Sequence, residues 1–228
     1  MQIETLDDDD AVARRAAAVI AADARVAVAA RGRFCLAVSG GRTPWAMLRA
    51  LADEDVPWAG VQLFQVDERV APAGDPARNL THIAESLLSH APLPAAQVHA
   101  LPVEAADLAA AARDYGALLR THCDMPAVLD LVHLGLGPDG HTASLIPGDP
   151  VLDVTDAEVA LTGPYQGHRR LTLTYPMLNA ARRVLWLATG AEKQPMLARL
   201  RAGDRSIPAG RVEAANALLL TDRAAAGG

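Results

Sequence analysis

The sequence predicts an α/β fold built on a mostly parallel sheet, with residues 1–228 forming one domain. Three observations support this prediction. Short apolar runs of strand length recur along the chain, helical patterns separate them, and 228 residues are enough for one large domain with a full core. The run at 131–136 is mostly apolar. Such runs are typical of parallel sheets, whose strands are buried on both faces.

The elements follow from the spacing of the apolar residues. The first is a long alanine-rich helix over residues 5–30. The aspartates near its start suit the positive end of the helix dipole, and Gly32 stops the helix. Further strands are predicted at residues 34–38, 61–66, 98–101, 131–136, 159–162, 171–175, 184–188 and 217–221. Further helices are predicted at residues 45–51, 75–89, 108–121 and 176–181.

The prediction of function is built on residues 130–148, DLVHLGLGPDGHTASLIPG. Three glycines end the strand there, and glycine lets the backbone fold back and come close to a small ligand. Parallel sheets bind their ligands at this end of their strands. Asp139 and His141 lie in the turn, and histidines and shifted carboxylates are the groups that exchange protons near neutral pH. We therefore predict that His141 is catalytic rather than an ordinary loop histidine.

The same three glycines, Gly135, Gly137 and Gly140, match the G-x-G-x-x-G pattern of dinucleotide-binding proteins. That pattern must open a crossover helix of about ten residues or more. Here Pro147 and Gly148 close the segment a few residues after the last glycine. We therefore reject a dinucleotide site.

A second glycine loop follows the strand at 34–38, and it is made of Ser39, Gly40, Gly41, Arg42 and Thr43. A helical pattern comes next, so backbone N–H groups and the positive end of a helix would point at whatever the loop holds. An ordinary strand-to-helix turn needs a glycine but has no use for serine, arginine and threonine together. No G-K-[ST] follows, which excludes a nucleotide P-loop. The loop is predicted to bind a phosphate or carboxylate.

Charged residues follow other predicted strands. Asp67, Glu68 and Arg69 end the strand at 61–66, and a solvated loop is the alternative interpretation. The basic residues at 168–170 precede a strand and could either be solvated or reach an anion. Lys193 would lie in the first turn of a helix, where the dipole disfavours a cation unless the side chain is exposed or a bound anion offsets the cost.

Composition limits the class of protein. A net charge of −6 argues against a nucleic-acid surface, and no apolar run approaches the roughly 20 residues that span a bilayer. Aspartates at 7–10 stand where a signal peptide would carry positive charge, and Cys35 and Cys123 give no disulfide framework. We expect a soluble cytoplasmic protein.

Five segments carry a family resemblance: SGGRTP at 39–44, DER at 67–69, GLGPDGHTASLIPG at 135–148, RLTLTYPMLNAARRV at 170–184 and GAEK at 190–193. Together they resemble the 6-phosphogluconolactonase family over nearly the whole chain. The long motif is highly specific, whereas SGG and DER are shared with the related glucosamine-6-phosphate deaminases. The resemblance implies a Rossmann-like three-layer α/β/α sandwich that hydrolyses 6-phospho-D-glucono-1,5-lactone in the pentose phosphate pathway, without metal or cofactor.

The resemblance also implies roles at matching positions. His141 would be the general base that activates water, with Asp67 and Asp139 orienting hydroxyls or the histidine. Arg69 is implied to belong with these catalytic residues and to line the pocket together with Arg170. The residues implied to bind substrate or phosphate are Ser39, Gly40, Gly41, Arg42, Thr43, Arg170 and Lys193. This chain departs from the usual Ser-Asn pair after DER, because it has Arg78-Asn79. The expected partner is a small sugar phosphate, and the expected state is a monomer or weak dimer.

Two other functions compete with the lactonase. One is a deaminase or isomerase on the same fold, and the other is a sugar-phosphate sensor without catalysis. Deaminases of this type usually have tyrosine after Asp-Glu and a glutamate before the proline, where this chain has Arg69 and Ile146. Opening a δ-lactone can proceed with one histidine and a water, whereas moving protons between C1 and C2 of an amino sugar needs coordinated acid and base groups. Both differences favour the lactonase.

Overall fold

The computed structural model describes residues 1–213 and 215–227. The strands are β1 Gln2–Leu6, β2 Phe34–Val38, β3 Val61–Gln65, β4 Asp67–Arg69, β5 Val98–His99, β6 Leu131–Gly135, β7 Val159–Leu161, β8 Arg170–Leu173, β9 Val184–Ala188 and β10 Ala217–Asp222. The α-helices are α1 Asp9–Arg31, α2 Arg42–Leu51, α3 Asn79–Ile83, α4 Leu108–His122, α5 Tyr175–Asn179, α6 Gln194–Arg201 and α7 Arg223–Ala226. In these parts of the chain, no helix combines the length and apolarity that crossing a bilayer requires.

The main sheet has the strand order β1-β10-β9-β6-β2-β3-β5, and every neighbouring pair is parallel. From β2 the chain builds outward through β3 to β5, and from β6 it builds the other way through β9 to β10. The strand order therefore reverses between β2 and β6. Open parallel sheets bind ligands at such a reversal, outside the carboxyl ends of the strands.

Helices cover both faces of this sheet. Side chains of α1 and α2 pack with Leu36 and Val38 in one hydrophobic core, whereas side chains of α4, α5 and α6 pack with Cys35 and Ala37 in another. Neighbouring residues of β2 thus point to opposite faces, as the two-residue period of a strand requires. The predicted three-layer α/β/α sandwich is confirmed. That the chain is one domain stays a prediction.

The first predicted helix was wrong at its start, because residues 2–6 form β1 and pair in parallel with β10. β1 lies at the sheet edge and is largely exposed, so its sequence lacks the apolar pattern of a buried strand. α1 begins where the Asp8 side chain accepts the N–H of Ala11 at 2.7 Å, with Asp9 and Asp10 in its first turn. It ends at Gly32, whose φ of 73° glycine adopts readily.

A second, antiparallel sheet of order β4-β8-β7 was not predicted. Residues 67–69 form one of its strands instead of a loop. Three residues are too few to show a strand pattern in the sequence, so this strand could not be predicted. Arg69 pairs directly with Arg170 in this sheet. Other bounds shift by a few residues: α2 begins at Arg42 rather than at residue 45, and Tyr175 is the first residue of α5 rather than the last residue of the preceding strand.

The segment after β6 is a glycine turn rather than the start of a helix. Among the described residues, no crossover helix follows Gly135; the chain forms an isolated bridge between Thr142 and Leu145 and then a single helical turn at Pro150–Asp153. The glycine turn therefore presents side chains rather than a helix end.

A buried histidine lies at the centre of the sheet. His133 in β6 is fully buried, and its Nδ1 accepts the backbone N–H of Ser39 at 3.2 Å. Burial lowers the pKa of His133 to about 3, because the charged imidazolium would lose its hydration. The side chain is therefore neutral in the folded protein near neutral pH, whereas an exposed histidine in the unfolded chain takes up a proton near pH 6.5.

We predict that stability decreases on acidification through this histidine. Below about pH 6.5 the unfolded state binds a proton that the folded state excludes, so the free energy of unfolding should fall by up to about 1.4 kcal/mol per pH unit until the pH approaches the folded-state pKa. Urea unfolding from about pH 7 down to about pH 4.5 measures this slope. His133→Leu should make the slope shallower, with part of it remaining because burial also lowers the pKa of His99 to about 4. Replacement of the exposed His90 by glutamine should leave the slope unchanged. An unaltered slope in His133→Leu would contradict the assignment.

Candidate active site

One cavity of about 370 Å³ lies at the carboxyl ends of β2 and β6, where the strand order reverses. Small-molecule sites are typically a few hundred Å³ or more. The lining includes all the residues predicted for the site except Asp139: Ser39, Gly40, Gly41, Arg42, Thr43, Asp67, Arg69, His141, Arg170 and Lys193. The structure thus brings together segments that lie far apart in the sequence.

The loop from β2 to α2 forms one wall. Gly41 precedes the helix with a φ of 129°, and the first bond of the helix runs from the N–H of Trp45 to the carbonyl of Gly41 at 3.0 Å. The N–H groups of Arg42 and Thr43 therefore precede the intrahelical ladder and are available to an anion. The Thr43 hydroxyl lies 2.7 Å from that of Thr189, which ties this loop to the end of β9.

Gly40 is needed for a close approach. A Cβ at this position would lie 2.0 Å from Oδ1 of Asn79, so any larger residue would displace the asparagine. Asn79 is buried, lines the cavity and donates from Nδ2 to the backbone carbonyl of Asp67 at 3.0 Å. The glycine therefore lets the loop after β2 close against the start of α3.

His141 and Asp139 form a hydrogen-bonded pair in the turn after β6. Oδ1 of Asp139 lies 2.5 Å from Nδ1 of His141 and accepts its backbone N–H at 3.1 Å. Asp139 is not among the described residues that line the cavity, so its hydrogen bond reaches the side of His141 that is turned away from the cavity. The bond assigns the proton to Nδ1 and leaves Nε2 as the nitrogen that can accept one.

The same turn shows why Gly137 is a glycine. A Cβ on Gly137 would lie 2.1 Å from Nδ1 of His141, in the space that the imidazole occupies. Burial raises the pKa of Asp139, but hydrogen bonds from the backbone and ring of His141 and from Tyr165 outweigh that effect and hold the pKa below its ordinary value. The aspartate is therefore the charged partner of the histidine.

Two arginines face each other across the pairing of β4 and β8. Arg69 donates from Nη1 to the carbonyl of Ala77 at 2.8 Å and to Oδ1 of Asn79 at 3.0 Å. Arg170 is 4% exposed, and burial together with Arg69 lowers its pKa against the opposing effect of Asp67. Among the described residues, neither Nε has a hydrogen-bond partner. Buried cations with unused donors favour an anionic or oxygen-rich ligand.

A buried carboxylate holds the arginine pair in place. Glu68 is fully buried and accepts the backbone N–H groups of Arg69, Asn79 and Leu80, each at 2.8 Å. Arg78 pairs with the same carboxylate, with Nε 3.3 Å from Oε2. The departure at residues 78–79 therefore has a structural explanation: Arg78 neutralises Glu68, and Asn79 reaches the cavity.

Lys193 closes the cavity from the side of β9. It precedes α6, and its Nζ donates to the carbonyl of Leu136 at 2.7 Å, beside the glycine turn of β6. It is the only lysine in the sequence. Of the two adjacent arginines, Arg170 lines the cavity, whereas Arg169 is exposed and donates from Nε to the carbonyl of Thr162 at 3.3 Å.

Sequence reasoning missed several side chains of this site. Tyr165 donates its hydroxyl to Oδ2 of Asp139 at 3.0 Å, and Gln166 lines the cavity. Ser144 donates to Asp67 at 2.5 Å, which fixes that carboxylate. A tyrosine close before a basic cluster was the one available signal for Tyr165, whereas nothing in the sequence places Ser144 next to Asp67.

The fold and the cavity define a class of protein. It is a Rossmann-like α/β protein whose switch-point cavity combines a histidine–aspartate pair with four cationic side chains, Arg42, Arg69, Arg170 and Lys193. Such a site can hold a phosphorylated small molecule and accept a proton from it or from water. A family model described as glucosamine-6-phosphate isomerases/6-phosphogluconolactonase matches residues 7–220. The chain belongs to this family.

Individual relatives agree with the family match. The 6-phosphogluconolactonase of Nostoc sp. is 35% identical, over 99% of this chain and 96% of the relative. The 6-phosphogluconolactonase of Mycobacterium tuberculosis is 36% identical, over 98% of this chain and 96% of the relative. Both cover almost the whole length, so the similarity extends beyond the short motifs.

Solved structures share the fold. The crystal structure of the 6-phosphogluconolactonase of Thermotoga maritima matches with a TM-score of 0.86 at 29% identity, covering 97% of this chain and 98% of that chain. A monomeric glucosamine-6-phosphate deaminase matches with a TM-score of 0.87 at 19% identity, covering 100% and 99%. The second likeness shows the fold alone.

Proposed function

We propose that this protein hydrolyses 6-phospho-D-glucono-1,5-lactone to 6-phospho-D-gluconate in the oxidative pentose phosphate pathway. The observation that carries the proposal is the 2.5 Å contact between Asp139 and Nδ1 of His141, in a cavity that also gathers four cationic side chains. The lactonases among its relatives, which match nearly the whole chain, support the same activity. The cations would bind the phosphate and sugar oxygens, and the histidine would activate water.

The proposed reaction begins with a water molecule at Nε2 of His141. His141 takes a proton from the water as its oxygen bonds to C1 of the lactone, and the negative charge develops on the carbonyl oxygen. The tetrahedral intermediate formed in this way collapses by breaking the bond from C1 to the ring oxygen. The ring oxygen then takes the proton from His141. Asp139 stabilises the imidazolium that exists between these two transfers.

The anion-binding groups are proposed to divide between two tasks. The loop at 39–43 presents the start of α2, and Lys193 lines the same cavity, so together they are suited to the 6-phosphate. Arg69 and Arg170 lie opposite each other in the β4–β8 pair and both line the cavity, which suits sugar oxygens and the developing oxyanion. Binding the phosphate far from C1 would hold the lactone carbonyl against the histidine.

A deaminase is the second candidate, and one residue argues against it. Ile146 is buried with a 6% exposed side chain and is not among the described residues that line the cavity. The glutamate that the resemblance places there in deaminases is therefore replaced by a core residue. A sensor without catalysis would have no use for the pair of His141 and Asp139.

A parallel assay tests the proposal. Purified protein given 6-phosphogluconolactone should release acid faster than the spontaneous rate, and given glucosamine 6-phosphate it should release no ammonia. The reason is that the buried Ile146 occupies the position where the resemblance places the deaminase glutamate, so His141 lacks that particular carboxylate partner. Ammonia release without accelerated lactone opening would make the protein a deaminase, and binding without either reaction would make it a sensor.

We predict that His141→Asn lowers kcat about 100- to 10,000-fold, because a positioned general base contributes that much. The KM for the lactone should change little, since the cations that hold the substrate stay in place. Steady-state kinetics on freshly made lactone provides the measurement, with the exposed His90→Asn as the matched histidine control. Turnover equal to wild type in His141→Asn would remove this residue from the mechanism.

We predict that Lys193→Ala weakens the binding of 6-phosphogluconate roughly tenfold at low salt. The loss should shrink as salt rises, because a point-charge contact with phosphate is partly screened. Calorimetry at two salt concentrations measures it. Arg201→Ala removes the same charge from an exposed site on α6 and should leave affinity unchanged. Equal effects of the two substitutions would rule out a phosphate contact at Lys193.

We further propose that the protein is cytoplasmic and acts as a monomer or weak dimer on a small sugar phosphate, without nucleic acid. Support for a reducing location comes from Cys35 and Cys123, which are buried free thiols. The net charge of −6 supports a cavity, rather than the general surface, as the place where an anion binds.

A further inference from the structure

Tyr165 is held by a tight hairpin between β7 and β8. Its backbone exchanges two hydrogen bonds with His168, at 2.9 and 3.2 Å, and the two residues between them, Gln166 and Gly167, have φ values of 49° and 83°. Two successive positive φ values define the type I′ turn that matches the twist of paired strands. The hairpin therefore sets the position of the tyrosine rigidly, although it lies in a short connection.

The aromatic ring is fixed on two sides. The imidazole of His141 meets it at 71°, with 5.6 Å between the ring centroids. The guanidinium carbon of Arg170 lies 5.0 Å from the centroid of the same ring, a cation–π distance. Tyr165 thus contacts both the proposed base and one of the proposed anion-binding cations.

The hydroxyl of Tyr165 completes a chain of hydrogen bonds that ends at the base. It donates to Oδ2 of Asp139 at 3.0 Å, and Oδ1 of the same carboxylate accepts from Nδ1 of His141 at 2.5 Å. The side chain of Asp139 is 35% exposed, so without this donor it could rotate towards solvent. The hydrogen bonds therefore connect Tyr165 to His141 through the carboxylate of Asp139.

From this geometry we infer that Tyr165 is a positioning residue for the reaction: its hydroxyl holds Asp139 in the orientation that keeps the proton of His141 on Nδ1 and frees Nε2. The inference rests on the proposed hydrolysis for its kinetic consequence, but the tautomer it concerns can be observed without substrate. Burial and the contact with Asp139 raise the pKa of Tyr165, so the hydroxyl keeps the proton that it donates.

Tyr165→Phe tests the inference, because it removes the hydroxyl and keeps the ring contacts. We expect kcat to fall about 3- to 10-fold, as the loss of one hydrogen bond would produce, with KM within about twofold of wild type. In ¹⁵N spectra of the free protein, His141 should show one neutral tautomer in wild type and a mixture of both in the variant. Tyr115→Phe, which removes a buried hydroxyl bonded to the carbonyl of His99, is the matched control for both measurements.

The two measurements separate failure of this inference from failure of the proposed function. Wild-type protein without lactonase activity would overturn the proposed function, while a tautomer change in Tyr165→Phe would still support the positioning role. An unchanged tautomer in Tyr165→Phe would overturn the inference, whatever the rate. A rise in KM with unchanged kcat would also overturn it, because Tyr165 would then be only a wall of the cavity.

Discussion

The site depends on the way β2 and β6 separate. In the part of the chain that the structure describes, these adjacent parallel strands pair through Leu36 with Leu131 and Ala37 with Val132 and through no further residues. Beyond that point β2 stays paired with β3, and β6 stays paired with β9. The two strands therefore diverge at their carboxyl ends and open the crevice in which the cavity lies. Divergence at the point where strand order reverses is what makes this position a binding site in open parallel sheets.

Neutral His133 bridges the strands where they part. It belongs to β6, yet it accepts the backbone N–H of Ser39 just after β2. The imidazole is neutral because it is completely buried. A neutral imidazole has a free acceptor nitrogen, so it can accept a backbone N–H at the point where the hydrogen bonds between the two strands have ended. The first residue of the glycine loop at 39–43 is thereby joined to the strand that precedes His141.

The gathering of positive charge has a structural cost that the surrounding network offsets. Placing Arg69 directly opposite Arg170 is unfavourable in an antiparallel pair, and both sit in or near the protein interior. Glu68 fixes the backbone at Arg69 and Asn79 and takes Arg78 as its own partner, while Asp67 balances part of the charge on Arg170. Both arginines line the cavity, where a phosphorylated ligand would supply the missing negative charge.

The sequence alone was sufficient for the α/β class, most strands, and the glycine turns with Asp139 and His141, because buried strands and glycine loops leave strong local patterns. With the family resemblance it also predicted the charged residues that line the cavity, except Glu192. The antiparallel sheet, the pairing of Arg69 with Arg170, the role of Arg78 and the contact of Tyr165 with Asp139 required the tertiary structure. Each of these joins residues far apart in the chain, through strands or hairpins too short to leave a pattern of their own.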